Sequence, residues 1–251
     1  MRWLHITLWM LWIGMASAQT APLHLVTQAY SPYIVQQNQD ASGLAVDIVK
    51  EVFRRSGKEI DIAFYPWSRA LYMLDHGQAD GLFTIKKTPE RERQWLYPQE
   101  ALLSQDYVFF ARKTSTFRFN GDLSSLAQTR IGVVQNTSYG ARFDQAAATG
   151  HFLALDAAHN YELTFRKLLG GRVDAVICSH LVGLEILKAL GAQDLVEVRG
   201  PVVETAVSYL VFSRSEAHRT TAALFDRHLA AMKIDGTIHK MTARYRAQLR
   251  R

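Results

Sequence analysis

The stretch Thr88-Pro89-Glu90-Arg91 carries the most suggestive chemistry in the sequence. Thr88 suits a helix N-cap and Pro89 the first helical position, which sets Arg91 in a first turn beside unpaired backbone N–H groups. A guanidinium there suits a carboxylate, which it can grip with two parallel hydrogen bonds. The alternative is an ordinary ion pair with Glu90, Glu92 or another surface acid, and the motif alone does not choose. Tyr30 and Trp67 each stand near a proline, Pro32 and Pro66, in a loop soon after a strand-like run. Large flat side chains so placed can sandwich a ligand at low entropic cost, or they can simply close the edge of a core. Asn136-Thr137-Ser138 offers hydroxyl and backbone donors at another helix start, either for an anion or as a plain cap. His180 follows one strand-like run and Lys86-Lys87 another; each can face a ligand, or remain an ordinary core or surface residue.

Signatures of catalysis are missing. The sequence has no Gly-x-Ser-x-Gly, no His-Glu-x-x-His, no phosphate loop and no Gly-x-Gly-x-x-Gly. Its nine histidines lack metal-ligand spacing, so neither a metal nor a cofactor is expected. Cys178 is the single cysteine. It excludes an intrachain disulfide, and within the apolar run Ala175 to Cys178 it reads as a buried, inert thiol.

These residues are to be positioned by an alternation of strands and helices. Leu23 to Thr27 reads as a strand, and Leu44, Ile48, Val49, Val52 and Phe53 form one stripe of a helix between Gly43 and Gly57. Ile60, Ile62 and Phe64 alternate as in a strand, Pro66 opens a helix that runs to Gly77, and Asp80 to Thr84 is the next strand. The pattern restarts after a polar stretch: strand Arg130 to Val134, helix Tyr139 to Ala148, strand Phe152 to Leu155, helix Asn160 to Leu169, strand Val173 to Cys178. Gly77 to Phe83 faintly echoes Gly171 to Ile177. Asp106 to Arg112 and Ala206 to Phe212 read as strands on which the chain crosses from one lobe to a second and back. Lobe 1 is then 19–109 plus 209–251, with Phe225, Leu229 and Met232 packing a C-terminal helix onto it, and lobe 2 is 110–208. Two mainly parallel α/β lobes place a cleft at the carboxyl ends of their strands.

Composition supports a globular protein: 251 residues, 48% hydrophobic, 21% charged and a formal charge of +6, enough chain for one or two domains. The basic residues are dispersed except for Arg244, Arg246, Arg250 and Arg251, and only Tyr245 interleaves them, so nucleic acid is a poor fit. Met1 to Ala18 combines Arg2, an apolar stretch from Leu8 to Met15 and Ala16-Ser17-Ala18, the pattern of a secretory leader cleaved after Ala18. That stretch is far shorter than the ~20 residues of a spanning helix.

In this order and spacing the pieces resemble the bacterial extracellular solute-binding proteins of family 3, periplasmic amino-acid receptors of ABC importers. The marks are Tyr30-Ser31-Pro32-Tyr33, Gly43-Leu44-Ala45-Val46-Asp47, Gly77 to Asp80, Thr88 to Arg91, Ile131 to Ser138, Gly171 to Ala175 and Asp235-Gly236. They cover nearly the whole chain beyond the leader. The resemblance implies a two-lobed, type II periplasmic-binding-protein-like α/β fold hinged on two crossover strands. It implies that Arg91 grips a ligand carboxylate, that Tyr30 and Trp67 supply the aromatics, and that Thr84, Thr137 and Ser138 supply hydroxyls. Such receptors usually hold the ligand ammonium with an acid just after the strand matching Val173 to Cys178. Here Ser179 and His180 stand in that place, and Lys86 replaces a small polar residue. A plain zwitterionic α-amino acid therefore fits less well than a dicarboxylate, a modified amino acid, a peptide fragment or another organic anion.

The expected protein is thus a monomeric periplasmic receptor that closes on a small anionic or zwitterionic solute. Its expected partner is an ABC permease, though a receptor feeding a membrane sensor reads alike in sequence. The rivals are a lyase- or dehydratase-like enzyme on the same scaffold, drawing acid and base from Lys86, Lys87, His180 and Glu204, and a secreted structural protein.

Overall fold

A computed structural model of the chain describes residues 21–37 and 40–249; the expected leader at 1–18 lies outside the described residues. β1 (Leu23–Thr27) leads through a small hairpin, β2 (Val35–Gln37) and β3 (Asp40–Ser42), into α1 (Leu44–Ser56). Next come β4 (Ile60–Phe64), α2 (Trp67–Asp75), β5 (Gly81–Ile85) and α3 (Pro89–Gln94), and β6 (Leu103–Arg112) carries the chain across. The second half holds β7 (Arg130–Val134), α4 (Ala141–Ala148), β8 (Ala154–Ala158), α5 (Tyr161–Leu169), β9 (Ala175–Ser179), α6 (His180–Ala189) and β10 (Val196–Val198). β11 (Glu204–Phe212) returns to the first half, where α7 (Glu216–Ile234) and α8 (Thr237–Leu249) follow.

Hydrogen-bonded neighbours run β4-β1-β5-β11-β6-β9-β7-β8, with β10 added to β6. At each end lies a parallel triplet, β4-β1-β5 and β8-β7-β9. The crossing strands join them, β11 antiparallel to β5 and to β6, and β6 antiparallel to β9. β11 pairs with β6 from Glu204 to Ser208, then changes partner to β5 from Tyr209 onward.

The faint internal echo is structural. Asp80 accepts the His24 N–H on its carboxylate at 2.7 Å, and Asp174 does the same for the Arg130 N–H at 2.9 Å. Each aspartate also donates its own N–H to the carbonyl of that same residue. Gly77 and Gly171 precede them with φ of 64° and 72°, a left-handed turn that glycine adopts without steric cost. So a single Gly-x-x-Asp device registers the third strand of each half against its first.

Local chemistry explains most element limits. α1 buries Leu44, Ala45, Ile48, Val49, Val52 and Phe53 along one stripe, and Gly57 closes it in the left-handed conformation. The C-terminal helices cover that stripe: the rings of Phe53 and Phe225 lie 5.8 Å apart, and Arg55 bridges to Asp235 at 2.7 Å. Each buried Leu, Ile, Val or Phe of this stripe contributes ~1.5–3 kcal/mol.

Several expected limits move. α4 begins at Ala141, not Tyr139, because Gly140 has φ 114° and a Cβ there would stand 2.3 Å from a Glu204 carboxylate oxygen. Tyr139 instead lies ahead of the helix, its hydroxyl accepting the Val134 N–H at 2.6 Å. β8 occupies Ala154–Ala158 rather than Phe152 to Leu155, in register with all of β7. The third strand of the second half shifts to Ala175–Ser179, and the chain passes from it directly into α6, so His180 is the first residue of a helix. No helix among the described residues is long and apolar enough to cross a membrane.

Candidate functional site

The carboxyl ends of β1, β4, β5, β7 and β8 converge on a cavity of about 20 Å³. The first half lines it with Gln28, Tyr30, Trp67, Thr84, Lys86 and Arg91, the second with Thr137, Ser138 and Tyr161, and β6 with Tyr107. Six of the eight sequence-selected residues therefore meet here: Tyr30, Trp67, Thr84, Arg91, Thr137 and Ser138. Ser179 and His180 do not line it. Ser179 is fully buried opposite Tyr107 in the sheet, beside the Tyr30 phenol. The His180 ring lies 6.5 Å from that of Phe110.

Arg91 is placed as its motif predicts. Thr88 caps α3 by accepting the Arg91 N–H at 3.3 Å, with Pro89 in the first helical position. The surface-pair alternative fails, because the acids around it have other partners: Glu92 faces Lys87 at 3.2 Å and Glu90 faces Arg93 at 3.7 Å. The guanidinium donates instead to the Lys86 carbonyl at 3.1 Å and to the Asn136 carbonyl at 2.7 Å. Burial lowers its proton affinity, yet a guanidinium stays charged.

Asn136 links the two halves. Its φ of 56° turns the carbonyl toward the first half, where it also accepts the Trp67 indole N–H at 2.9 Å. Two donors that could hold a carboxylate thus converge on one carbonyl oxygen. The Arg91 guanidinium lies 6.0 Å from the Trp67 ring, within cation–π range. Trp67 itself is buried and belongs to a small core under α2, so its packing and cavity roles coexist. Ser138 donates to Asp144 at 2.5 Å and Tyr139 donates its N–H to the same carboxylate at 2.9 Å, so this loop is tied to α4 while Thr137 and Ser138 line the cavity.

Thr84 has φ 66°, unusual for a β-branched residue and a cost of order 1–3 kcal/mol. The cause lies in the sheet. Tyr209 and Leu210 are consecutive, yet they pair with Ile85 and Phe83, leaving Thr84 as the extra residue of a bulge.

Past that bulge the two lysines part. Lys87 stays near the surface beside Glu92 and the rings of Tyr97 and Tyr209. Lys86 turns inward and is buried at 7% exposure. Its ammonium sits 4.1 Å from the Tyr107 ring centre and donates to the Tyr107 hydroxyl. That hydroxyl is 3.0 Å from the Tyr30 hydroxyl. Burial, with the nearby Arg91 charge, pulls Lys86 down to about 7. Burial pushes the phenols of Tyr30, Tyr107 and Tyr161 up, so they remain neutral hydrogen-bonding groups.

The residues not singled out in sequence are Gln28, Tyr107 and Tyr161, while Lys86 was weighed only as one of a pair. Tyr107 carried a weak signal, since it lies on a crossing strand between the halves. Tyr161 carried another, as the first residue after the Asn160 cap.

A larger cavity of about 450 Å³ lies elsewhere, between α1, α8 and the crossing strands. Its lining is mostly apolar, and two of its polar side chains are engaged: Lys233 by Glu100 and the Ala101 carbonyl, Tyr245 by Asp47. We place the candidate site at the smaller cavity, because charged and hydroxyl groups from both halves meet there. Among the described residues no cluster of three metal-ligating side chains occurs. The Cys178 thiol is buried, which pushes its ionisation well up.

Comparison with known proteins agrees with this architecture. A family model described as bacterial extracellular solute-binding proteins, family 3, matches residues 24–248. A Vibrio harveyi protein, PatH, described as an amino-acid ABC transporter-binding protein, is 22% identical over 218 residues, covering 86% of this chain and 84% of its own. The crystal structure of a substrate-binding protein of an amino acid ABC transporter superimposes with a TM-score of 0.74 at 15% identity, over 90% of this chain and 99% of that one. A histidine kinase sensor domain with similarity to periplasmic binding proteins gives 0.78 at 18% identity, over 90% and 96%. These neighbours share the type II periplasmic-binding-protein-like fold.

Proposed function

Because the chain belongs to the bacterial extracellular solute-binding proteins of family 3, we propose that it is a receptor whose two halves close on a small carboxylate-bearing solute held by Arg91. The family consists of solute-binding proteins, not enzymes, so Lys86, Lys87, His180 and Glu204 are assigned no catalytic step. The observation that carries the proposal is the Arg91 guanidinium at the cavity, bonded to two backbone carbonyls and to no acid. A carboxylate replaces neutral acceptors there with charged ones, roughly doubling the strength of each hydrogen bond. Tyr30 and Trp67 supply flat walls, and Thr84, Thr137 and Ser138 supply hydroxyls. Ser179, buried beside the Tyr30 phenol, and His180 lie outside the cavity lining and are given no ligand contact.

The lobes of this receptor are 19–109 plus 209–251 and 110–208. The change of β11 partner between Ser208 and Tyr209 supports that division. A cavity of about 20 Å³ is far below the ~300–1,000 Å³ usual for ligand sites, so the halves must part to admit a solute. Closure is favoured by ligand because only the closed form lets both halves touch it. Family members are extracellular; for this chain we assign a periplasmic location after cleavage at Ala18, and delivery of the solute, as a monomer, to an ABC permease. Arg91→Ala should weaken the true ligand by ~2–5 kcal/mol in isothermal titration. Unchanged affinity would remove Arg91 from the site.

A further inference from the structure

Resting on the carboxylate-binding reading above, we propose that the cleft takes a solute with two anionic groups and no ammonium, one anion on Arg91 and the second on Lys86. The chemical class is a short aliphatic dicarboxylate.

Two cations, Lys86 and Arg91, line the cavity, and no aspartate or glutamate does. Among the described residues neither cation makes an ion pair: Lys86 is held by the Tyr107 hydroxyl and ring face, and Arg91 by two carbonyls. The acids whose charge reaches Lys86 are Asp144 and Glu204, and both are committed at the start of α4. Asp144 takes the Ser138 hydroxyl at 2.5 Å and the Tyr139 N–H at 2.9 Å; Glu204 takes the Arg142 N–H at 3.0 Å. The remaining neighbours, Tyr30, Tyr107 and Cys178, are neutral, because burial pushes each ionisation up. Two unpaired cations held at a buried wall are costly, and an opposite charge from the solute relieves that cost. An ammonium would do the reverse, meeting two like charges and no carboxylate. Ser179, at the end of β9, adds no charge: it is buried beside the Tyr30 phenol. Arg91 donates to the Lys86 carbonyl at 3.1 Å and its charge bears on the Lys86 ammonium, so a short chain suffices between the two anions.

The test is isothermal titration at pH 7 with malonate, succinate and glutarate, set against aspartate, glutamate and glutamine, using the mature protein. The expected result is that succinate or glutarate binds at least tenfold tighter than its α-amino counterpart. Lys86→Met, checked for an unchanged fold by circular dichroism, should weaken that dicarboxylate at least tenfold. Tighter binding of an amino acid, binding of no dicarboxylate, or a Lys86→Met affinity equal to wild type would each overturn the second-anion proposal. In those cases, dependence of any bound amino acid on Arg91 would leave the carboxylate reading intact, whereas indifference to Arg91→Ala would sink that reading separately.

Discussion

Lys86→Met should change how the stability of the ligand-free protein depends on pH, and the structure sets both sign and size. In the native protein burial brings the Lys86 side chain from its ordinary 10.5 down to about 7. Between those values the unfolded chain binds the proton and the folded chain does not, so folding becomes more favourable as pH rises. Below pH 7 both states carry the charge and the contribution is flat. At pH 8 the difference approaches one proton, worth roughly 1 kcal/mol per pH unit, and about 2 kcal/mol accrues between pH 7 and pH 9. The groups facing Lys86 are Arg91 on α3, Tyr107 on β6, Asp144 on α4, Cys178 on β9 and Glu204 on β11. Cys178 works in the opposite direction, because its thiol ionises in the unfolded chain near pH 8.5 but is held neutral in the fold. That contribution is common to both proteins and cancels in their difference. Urea denaturation at pH 7, 8 and 9 is the assay. Lys86→Met should be the more stable protein at pH 7, since it removes a buried unpaired cation, and its advantage should shrink by about 2 kcal/mol at pH 9. Parallel curves would refute the claim that Lys86 is buried without a counter-charge.

If succinate binds through Lys86, complex formation should raise the ammonium's proton affinity from about 7, so proton uptake on binding should be larger at pH 8 than at pH 6; titrations in buffers of different ionisation enthalpy read this directly. Gly43→Ala should destabilise by more than about 2 kcal/mol in denaturant melts, because φ is 110° and the new Cβ would stand 2.4 Å from the Tyr33 carbonyl oxygen. Gly191→Ala, with φ 62° and open space around it, should cost only about 1 kcal/mol. Intact mass spectrometry of protein recovered from the periplasm should give a chain starting at Gln19, and retention of Met1 would exclude cleavage.

The elements were legible wherever a local rule set them. α1 spans the interval that the Gly43 and Gly57 boundaries and the apolar stripe indicate, and α3 is capped by Thr88 and opened by Pro89. The Asp80 and Asp174 echo was visible as two short matching strings, and it is a shared strand-registering device. The start of α4 was not legible, since what forbids an earlier start is the Glu204 carboxylate against Gly140, a contact with a strand more than sixty positions away. The entry into α6 was missed because an apolar run followed by His180 is compatible with a strand ending in a loop.

The site divides along the same line. Residue type and spacing alone identified a guanidinium in a capped first turn, aromatics beside prolines and a hydroxyl loop before a helix, because caps and turns are decided by chemistry within four or five residues. Only the tertiary structure decided what those groups face. Arg91 and Trp67 meet at the Asn136 carbonyl from 45 and 69 positions away. Lys86 turns inward while Lys87 turns outward, because the pairing of β5 with β11 makes Thr84 a bulge and resets which side of the strand each successor faces. Whether a charge is buried and unpaired depends on every element packed around it, and no window of the chain contains them all.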